Sequence, residues 1–389
     1  MSQRLSFIRL YCQRRQTMAE LCAEFRISEK TGYKWVRRFS TEGEAGLADR
    51  SHAPHAVPHR IAGEIASQLL ALRRMHPTWG PRKLRAVSAA RDPAIRWPAP
   101  SSIGTLLKAA GLVKPRRRHA RTSEVTHWGR TPAYESNAVW TADFKGQFRV
   151  GGGPYCYPLT VVDSYSRFLL ACRALRATDS RSTIAVFREL FQEYGLPRVL
   201  RTDNGVPFAT RAIAGLSPLT VWCIRLGIRP ERIERGQPQQ NGRHERLHKT
   251  LKAETTRPAA SSFRTQQQWF DTFRVCYNGE RPHEALGQKP PATKYECSPR
   301  PYPTHLPRLR YQPGVVVRRV TSIGQFAWQG KPVWLTSMLA GQDVGLEELG
   351  ADHWTVSFGP LILGDFNPHI RVVVPAVRWA SPVSPLNPV

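Results

Sequence analysis

Apolar positions change their spacing along this chain, and each change predicts a different kind of element. Up to about residue 113 they recur at three- and four-residue intervals, as in helices with one buried face. TMAELCAEFRISEKTGYKWVRRF predicts two short helices. Thr17 followed three residues later by Glu20 makes a capping box, and the chain breaks near Arg26–Ser28. The second helix sets Gly32, Trp35, Val36 and Phe39 on one side and Lys30, Lys34 and Arg37 on the other. That layout fits a helix-turn-helix reading DNA through Lys30, Lys34 and Arg37, or an amphipathic pair with a solvated basic face. IAGEIASQLLALRRMH, WGPRKLRAVSAA (with Pro81 near its start) and SSIGTLLKAAGL repeat the helical theme. Between the two sets, ADRSHAPHAVPHR is a proline-rich linker. The prolines among its His52, His55 and His59 break the geometry a metal would need, and no cysteine supports one.

From Val139 the period shortens. VWTADFKGQFRV, YCYPLTVVDSYS and RFLLACRAL read as three strands separated by turn residues. RSTIAVFRELFQEYG is an amphipathic helix capped near Thr178 or Asp179, and PRVLRTDNG a buried strand ending in a turn. PLTVWCIRLG reads as a helix, IRPERIERG as a short strand, and QQNGRHERLHKTLKAE and QQQWFDTFRVCYN as two more helices. Three strands, helix, strand, helix, strand, helix predicts an α/β domain over 130–298 with a mixed five-stranded sheet. After residue 300, short alternating runs between Gly and Pro predict a small β barrel over 305–375, with a disordered tail at 376–389. The predicted architecture is therefore multidomain. A helix-turn-helix spans 1–47, a linker 48–60, and a second helical DNA-binding unit with a basic strap 61–121. The α/β core and the β domain follow.

Charge narrows the class of partner. The 389 residues carry 57 Lys+Arg against 29 Asp+Glu, a formal +28, which points to a polyanion, most simply double-stranded DNA. The excess is concentrated before residue 300. In KPRRRHAR at 114–121, Arg116, Arg117 and Arg118 suit phosphates, unless the strap is a solvated linker. Seven cysteines without a CxxC read as reduced thiols. With no signal sequence and no run long enough to span a bilayer, the expectation is a cytoplasmic protein with no membrane partner.

Three acids stand out in the α/β segment. Asp143 lies in the first strand, whose Trp140 and Phe144 face the core, and Asp203 ends the strand before the NG turn. If those strands are neighbours, the carboxylates converge and repel, a cost that a divalent metal removes; oxygen ligands suit Mg²⁺. Glu245 is expected opposite Leu247 and Leu251 on its helix, sharing a face with His248, Lys249 and Lys252. On this reading Glu245 completes the metal site, while Lys249 and Lys252 hold the phosphate backbone. Two Mg²⁺ ions, with Mn²⁺ as substitute, would serve in-line attack at phosphorus. Asp163 reads as a turn former, Glu231 and Glu254 as solvated charges, and Trp222 and Trp269 as core aromatics. Arg281 and His283 read equally as phosphate contacts or as packing residues.

WTADFKG, VVDSYSR, RTDNGVPF, PQQNGRHERLHKTL and YNGERPHEALGQKPPATKY together resemble bacterial insertion-sequence transposases with an integrase-type catalytic core, of the retroviral integrase and ribonuclease-H-like superfamily. The resemblance covers roughly 140–295, and the helical front end fits the same layout. It implies a ribonuclease-H-like core in which Asp143, Asp203 and Glu245 bind the metals. It also implies cutting at transposon ends and joining of the 3′ ends to target DNA. Two cuts and two joins imply a homo-oligomer on the DNA. A DNA-binding regulator with an inert core and a structure-specific nuclease are the competing readings.

Overall fold

The computed structural model describes residues 3–50, 61–113, 131–234, 242–350 and 352–379. The linker histidines, Arg116, Arg117 and Arg118 of the basic strap, and the tail beyond Trp379 lie outside the described residues. The chain divides into two compact units, Met1–Ile61 and Ala62–Val389. Among the described residues no helix is long and apolar enough to cross a membrane. All seven cysteines are free.

The first unit holds α1 (Gln3–Cys12), α2 (Met18–Glu24) and α3 (Glu29–Glu42). The Thr17–Glu20 capping box forms, and Ser28 caps α3 through the Thr31 amide. Phe7 of α1 meets Phe25 and Trp35 edge-on at 5.4 and 5.5 Å, so a small aromatic core fixes the inner side of α3. Lys30, Lys34 and Arg37 are exposed on its outer side. Gly32 lies where α3 crosses the other helices. A Cβ there would come within 2.6 Å of the Cys22 sulfur and 3.0 Å of Phe7. Gly32→Ala gains about 1 kcal/mol of helix propensity, but overpacking costs about 1–3 kcal/mol. We expect a net loss of roughly 1 kcal/mol, measured by denaturant unfolding; a variant as stable as the parent contradicts this packing.

The second unit begins with α4 (Gly63–Met75), α5 (Pro81–Arg91) and α6 (Pro100–Ala109). Leu69, Leu72, Trp79, Leu84, Ile103 and Leu107 form their shared core, and Cys276 packs against it. The α/β core comprises β1 (Val139–Phe144), β2 (Phe148–Arg149), β3 (Tyr155–Asp163), β4 (Leu169–Leu175), α7 (Ser180–Tyr194), β5 (Val199–Thr202), α8 (Pro218–Arg225), β6 (Arg229–Arg232), α9 (Gly242–Thr255) and α10 (Phe263–Gly279). The sheet is mixed: β4, β3, β1, β5 and β6 lie side by side, antiparallel among the first three and parallel among the last three. The run VWTADFKGQFRV, expected as one strand, breaks at Lys145–Gln147. Pairing with β3 then resumes as the two-residue β2, a sixth strand. Trp140, Ala142, Leu159 and Val161 face α7 and α8. Cys156, Val162, Leu169 and Cys172 face α9 and α10 through Leu247, Leu251, Phe270 and Phe273.

The second helical set packs on this core. Arg281 donates to Glu254 at 2.9 Å and to Thr78 at 3.2 Å, and Arg82 pairs with Glu284 at 2.6 Å. Thus Glu254 is a partner of Arg281, not the solvated charge expected from sequence. Arg281 is itself buried, which decides for packing over phosphate contact. His283 packs edge-on to Tyr277 nearby. Burial, then Lys83, Arg281 and Arg167, pushes its imidazole down to about 3 from an ordinary 6.5. The unfolded chain therefore takes up a proton below 6.5 that the folded chain refuses, and stability is lost as pH falls through that window. By pH 5 this amounts to about 2 kcal/mol. Urea titrations at pH 7.5 and 5 should show a smaller drop for His283→Gln than for the parent; equal drops would rule His283 out as the cause.

The C-terminal segment contains β7 (Val316–Arg319), β8 (Gln325–Trp328), β9 (Lys331–Trp334), β10 (Asp343–Gly350), β11 (His353–Phe358), β12 (Leu361–Asn367) and β13 (Val372–Trp379). It is antiparallel, as expected, but a closed barrel does not emerge. β13, β12, β11, β10 and β7 form an open sheet with two edges, and β8–β9 is a separate hairpin. Both pack around Val344, Leu346, Val356 and Phe358, with Leu216, Val221 and Ile224 of the α/β core completing the apolar cluster. A neighbouring core thus covers apolar surface that ring closure would otherwise have to bury. The last strand also continues to Trp379, past residue 376 where the tail was expected to begin.

Candidate active site

β1 and β5 are parallel neighbours, with Val139 opposite Val199, Trp140 opposite Leu200 and Thr141 opposite Arg201. β5 ends at Thr202, so Asp143 lies two residues past the last paired position on β1 and Asp203 one residue past the end of β5. Facing residues of paired strands project to the same side, with backbones about 4.8 Å apart. Residues 60 positions apart in sequence therefore share one end of the sheet.

Each aspartate is held locally. Asp203 Oδ1 accepts the Gly205 amide at 3.1 Å, an Asx turn, and Asn204 Nδ2 donates to the Ile233 carbonyl at 2.7 Å. The NG pair thus shapes the turn, as its composition suggested. A Cβ at Gly205 would stand 3.2 Å from an Asp203 oxygen, so glycine leaves the carboxylate its room. Asp143 pairs across the sheet with Thr160, whose hydroxyl lies 3.2 Å from the Asp143 carbonyl.

α9 crosses above this end of the sheet. His244, Leu247, His248, Leu251 and Thr255 form its buried side. Thr160 Oγ1 lies 2.8 Å from His248 Nε2, and His248 Nδ1 lies 3.8 Å from Asp143 Oδ2. His248 was expected on the outer face beside Glu245. The 3.6-residue period instead aligns it with His244 and Leu251, and its ring fills space over Thr160. Burial, then His244 and Lys145, pushes its pKa down to about 3. The ring is therefore neutral at pH 7, and its approach to Asp143 is a polar contact, not an ion pair. Burial likewise lowers His244 to about 4. The i, i+4 spacing HERLH was the available signal for these two inward rings.

Glu245 lies in the first turn of α9, exposed, one turn ahead of His248; Lys249 and Lys252 are also exposed. Among the described residues no three His, Cys, Asp or Glu side chains are grouped closely enough to hold a metal ion. Asp143 lies in β1, Asp203 just past the end of its parallel neighbour β5, and Glu245 on α9, and among the described residues the three are not gathered into one cage.

Other acids have different tasks. Asp163 accepts the Asn137 amide at 2.9 Å, the Ser166 amide at 2.8 Å and the Ser166 hydroxyl at 2.6 Å, which makes it the turn former expected. Glu231 is not solvated: it pairs with Arg201 at 2.5 Å, both side chains only 12% exposed. The parallel register of β5 and β6 sets the two opposite each other. Trp222 packs against the core, but Trp269 is 38% exposed, because α10 turns Gln266, Phe270 and Phe273 inward instead.

Comparison with known proteins gives this arrangement its class. Integrase core domain models match residues 133–238 and 226–291; a helix-turn-helix domain model matches 3–55 and a homeodomain-like model 31–107. The chain thus carries an integrase core domain behind helix-turn-helix domains, and proteins of bacterial insertion elements are among the proteins it is similar to. It is 26% identical over 251 residues to the uncharacterized 39.2 kDa protein of insertion element IS476 from Xanthomonas euvesicatoria, covering 62% of this chain and 66% of that protein. It is 24% identical over 247 residues to the uncharacterized 31.7 kDa protein of insertion element IS407 from Burkholderia multivorans, covering 61% and 82%. The chain thus spans just under two thirds of the length of the IS476 protein. Among solved structures, the HTLV-2 integrase catalytic core domain in complex with magnesium matches at 15% identity and a TM-score of 0.31, covering 42% of this chain and 97% of that one.

Proposed function

We propose that the protein is a metal-dependent DNA transposase that binds the inverted repeats at its element's ends, cleaves there and joins the 3′ ends to target DNA. The observation that supports this reading most is the parallel pairing of β1, which bears Asp143, with β5, which ends just before Asp203, near the helix that bears Glu245. Hard carboxylate oxygens from adjacent strands fit a divalent cation of the Mg²⁺ type, with Mn²⁺ as substitute. Asp143, Asp203 and Glu245 would hold two such ions. When bound, these ions supply the positive charge that lowers the cost of in-line attack at phosphorus. Glu245 joins the aspartates by a side-chain or helix adjustment when DNA arrives. His248 and Thr160 keep the Asp143 strand end packed beneath α9, so the carboxylate presents its oxygens in a set direction.

The remaining residues bind. Lys30, Lys34 and Arg37 face outward on α3, and they read the end DNA. Lys249 and Lys252 on α9, and Arg116, Arg117 and Arg118, hold phosphates, consistent with the +28 charge. Paired end processing calls for a homo-oligomer on DNA. A gel assay of strand transfer on the DNA ends flanking the gene tests the reading. Joined products that require Mg²⁺ or Mn²⁺ support it. Cutting without joining would instead mark a nuclease, and binding without cutting a regulator.

A further inference from the structure

α9 is gripped at the end away from Glu245. Glu254, in its last turn, accepts from Arg281 Nη1 at 2.9 Å and from the Thr78 hydroxyl, and Arg281 Nη1 also donates to Thr78 Oγ1 at 3.2 Å. Thr78 belongs to the turn between α4 and α5, and Arg281 follows α10, so three segments far apart in sequence meet at one carboxylate. Helix electrostatics disfavour an acid there, because a last turn carries the negative end of the macrodipole. Lys252, in the same turn, has the sign of charge that the dipole favours. The place of Glu254 is therefore explained by its partners. The Arg281 side chain is only 8% exposed and that of Glu254 25%, so water and salt screen their attraction little.

Both sides of the grip are firm. The fully buried Gln266 donates from Nε2 to the Thr255 carbonyl at 2.9 Å and accepts the Ala260 amide at 3.0 Å. That satisfies a carbonyl at the end of α9 and fixes the connection into α10. On the other side, Trp79 follows Thr78 directly. Its ring is buried and stacks on His76 at 3.8 Å, and its carbonyl accepts from Arg73. Cys276 of α10 packs against the core of α4–α6, which seats the turn bearing Thr78. Glu245 stands at the opposite end of the same rod. Nine residues separate it from Glu254, about 13 Å at the helical rise. Between them Leu247 and Leu251 rest on Val162, Leu169 and Cys172 of the sheet. A stiff helix on such a support tilts as a unit, so what holds one end sets the height of the other.

We infer that Thr78, Glu254 and Arg281 are positioning residues that set the tilt of α9, and through it the approach of Glu245 to the two aspartates. The α4–α6 set, by way of Thr78, is the arm that carries the setting. DNA that steadies or shifts this set shifts α9 with it, which gives the adjustment of Glu245 a physical cause. Losing the grip frees the first turn of α9 and slows the chemistry without weakening the hold on DNA. The inference rests on the transposase reading, in which Glu245 acts together with Asp143 and Asp203.

The test uses the full-length chain. Thr78→Val removes the hydroxyl, keeps the branched shape and leaves the Arg281–Glu254 pair in place, whereas removing either charged partner would strand the other in the junction and endanger the fold. Thr78→Ser restores the hydroxyl. Amide hydrogen exchange reads the opening of α9 segment by segment, and strand transfer at saturating end DNA reads the chemistry. We expect Thr78→Val to speed exchange in the first turn of α9 and to slow joining, each by about three- to tenfold, the worth of one hydrogen bond. It should also raise the Mg²⁺ concentration needed for half-maximal joining. Duplex affinity should be unchanged, and the melting temperature should stay within about 2 °C of the parent's. Thr78→Ser should recover both readouts. Unchanged exchange in that turn overturns the inference. So does a Thr78→Val protein that joins ends at the parent's rate, or a serine variant as impaired as the valine one. A loss of duplex affinity that accounts for the lost joining makes Thr78 a DNA contact and overturns it as well. A parent that joins no ends fails the transposase reading itself, and exchange then still decides whether Thr78 holds α9.

Discussion

Asp203→Asn is expected to abolish strand transfer, by about a thousandfold or more, in a protein that folds as the parent does. Asparagine keeps the size of the side chain, and its Oδ1 can still accept the Gly205 amide that shapes the turn. What it loses is one negative charge and, on the proposed reading, one metal ligand. A divalent cation contributes several kcal/mol to the transition state of phosphoryl transfer, and each 1.36 kcal/mol is about tenfold in rate. Asp143→Asn should act alike, because on the proposed reading both carboxylates hold the same metal ions. The double variant should be little worse than either single one, since residues that act as a unit are not additive. Glu245→Gln completes the set. The readout is a gel of joined products with Mg²⁺ and with Mn²⁺, alongside the melting temperature of each variant. Joining within tenfold of the parent by a folded Asp203→Asn protein removes Asp203 from the reaction.

Trp140→Ala should cost about 3–5 kcal/mol of stability. The Trp140 side chain is fully buried at the centre of the sheet, 5.8 Å from the Phe191 ring, and its indole donates to Asn137 Oδ1 at 2.9 Å. Removing it opens a cavity on the face against α7 that rigid strands cannot close. Asn137 Oδ1 still accepts the Tyr295 hydroxyl at 3.0 Å and Asn137 Nδ2 still donates to the Glu296 carbonyl at 2.8 Å, so most of the loss comes from packing. Domain stabilities are about 5–15 kcal/mol, so the variant should unfold at much lower urea. Trp140→Phe should fall between, because a smaller ring fills part of the space and the indole bond is gone. A Trp140→Ala shift under about 1 kcal/mol would show that the sheet relaxes around the gap. Trp140 also lies three residues before Asp143 on the same strand, so loosening it should lower activity in the fraction that remains folded.

The sequence reached unevenly into this molecule. The amphipathic helices of the first 113 residues, the capping box at Thr17 and the helix-turn-helix face of Lys30, Lys34 and Arg37 were legible, because local spacing and capping chemistry determine them. So were the strand carrying Asp143 and the strand that ends just before Asp203. The partnerships of Glu231 with Arg201 and of Glu254 with Arg281 were not, since each partner lies 27 or 30 residues away. Nor was the inward turn of His248, or the open sheet where a barrel was expected.

What the residues settled by themselves was the kind of element at each point and the excess of positive charge, neither of which needs a distant partner. Only tertiary structure decided that β1 lies beside β5 in register, that His248 fills the space over Thr160, and that Thr78 and Arg281 meet at Glu254. Those outcomes follow from strand pairing and from the burial of apolar surface between distant segments, and no local window of the chain contains both halves of such a contact.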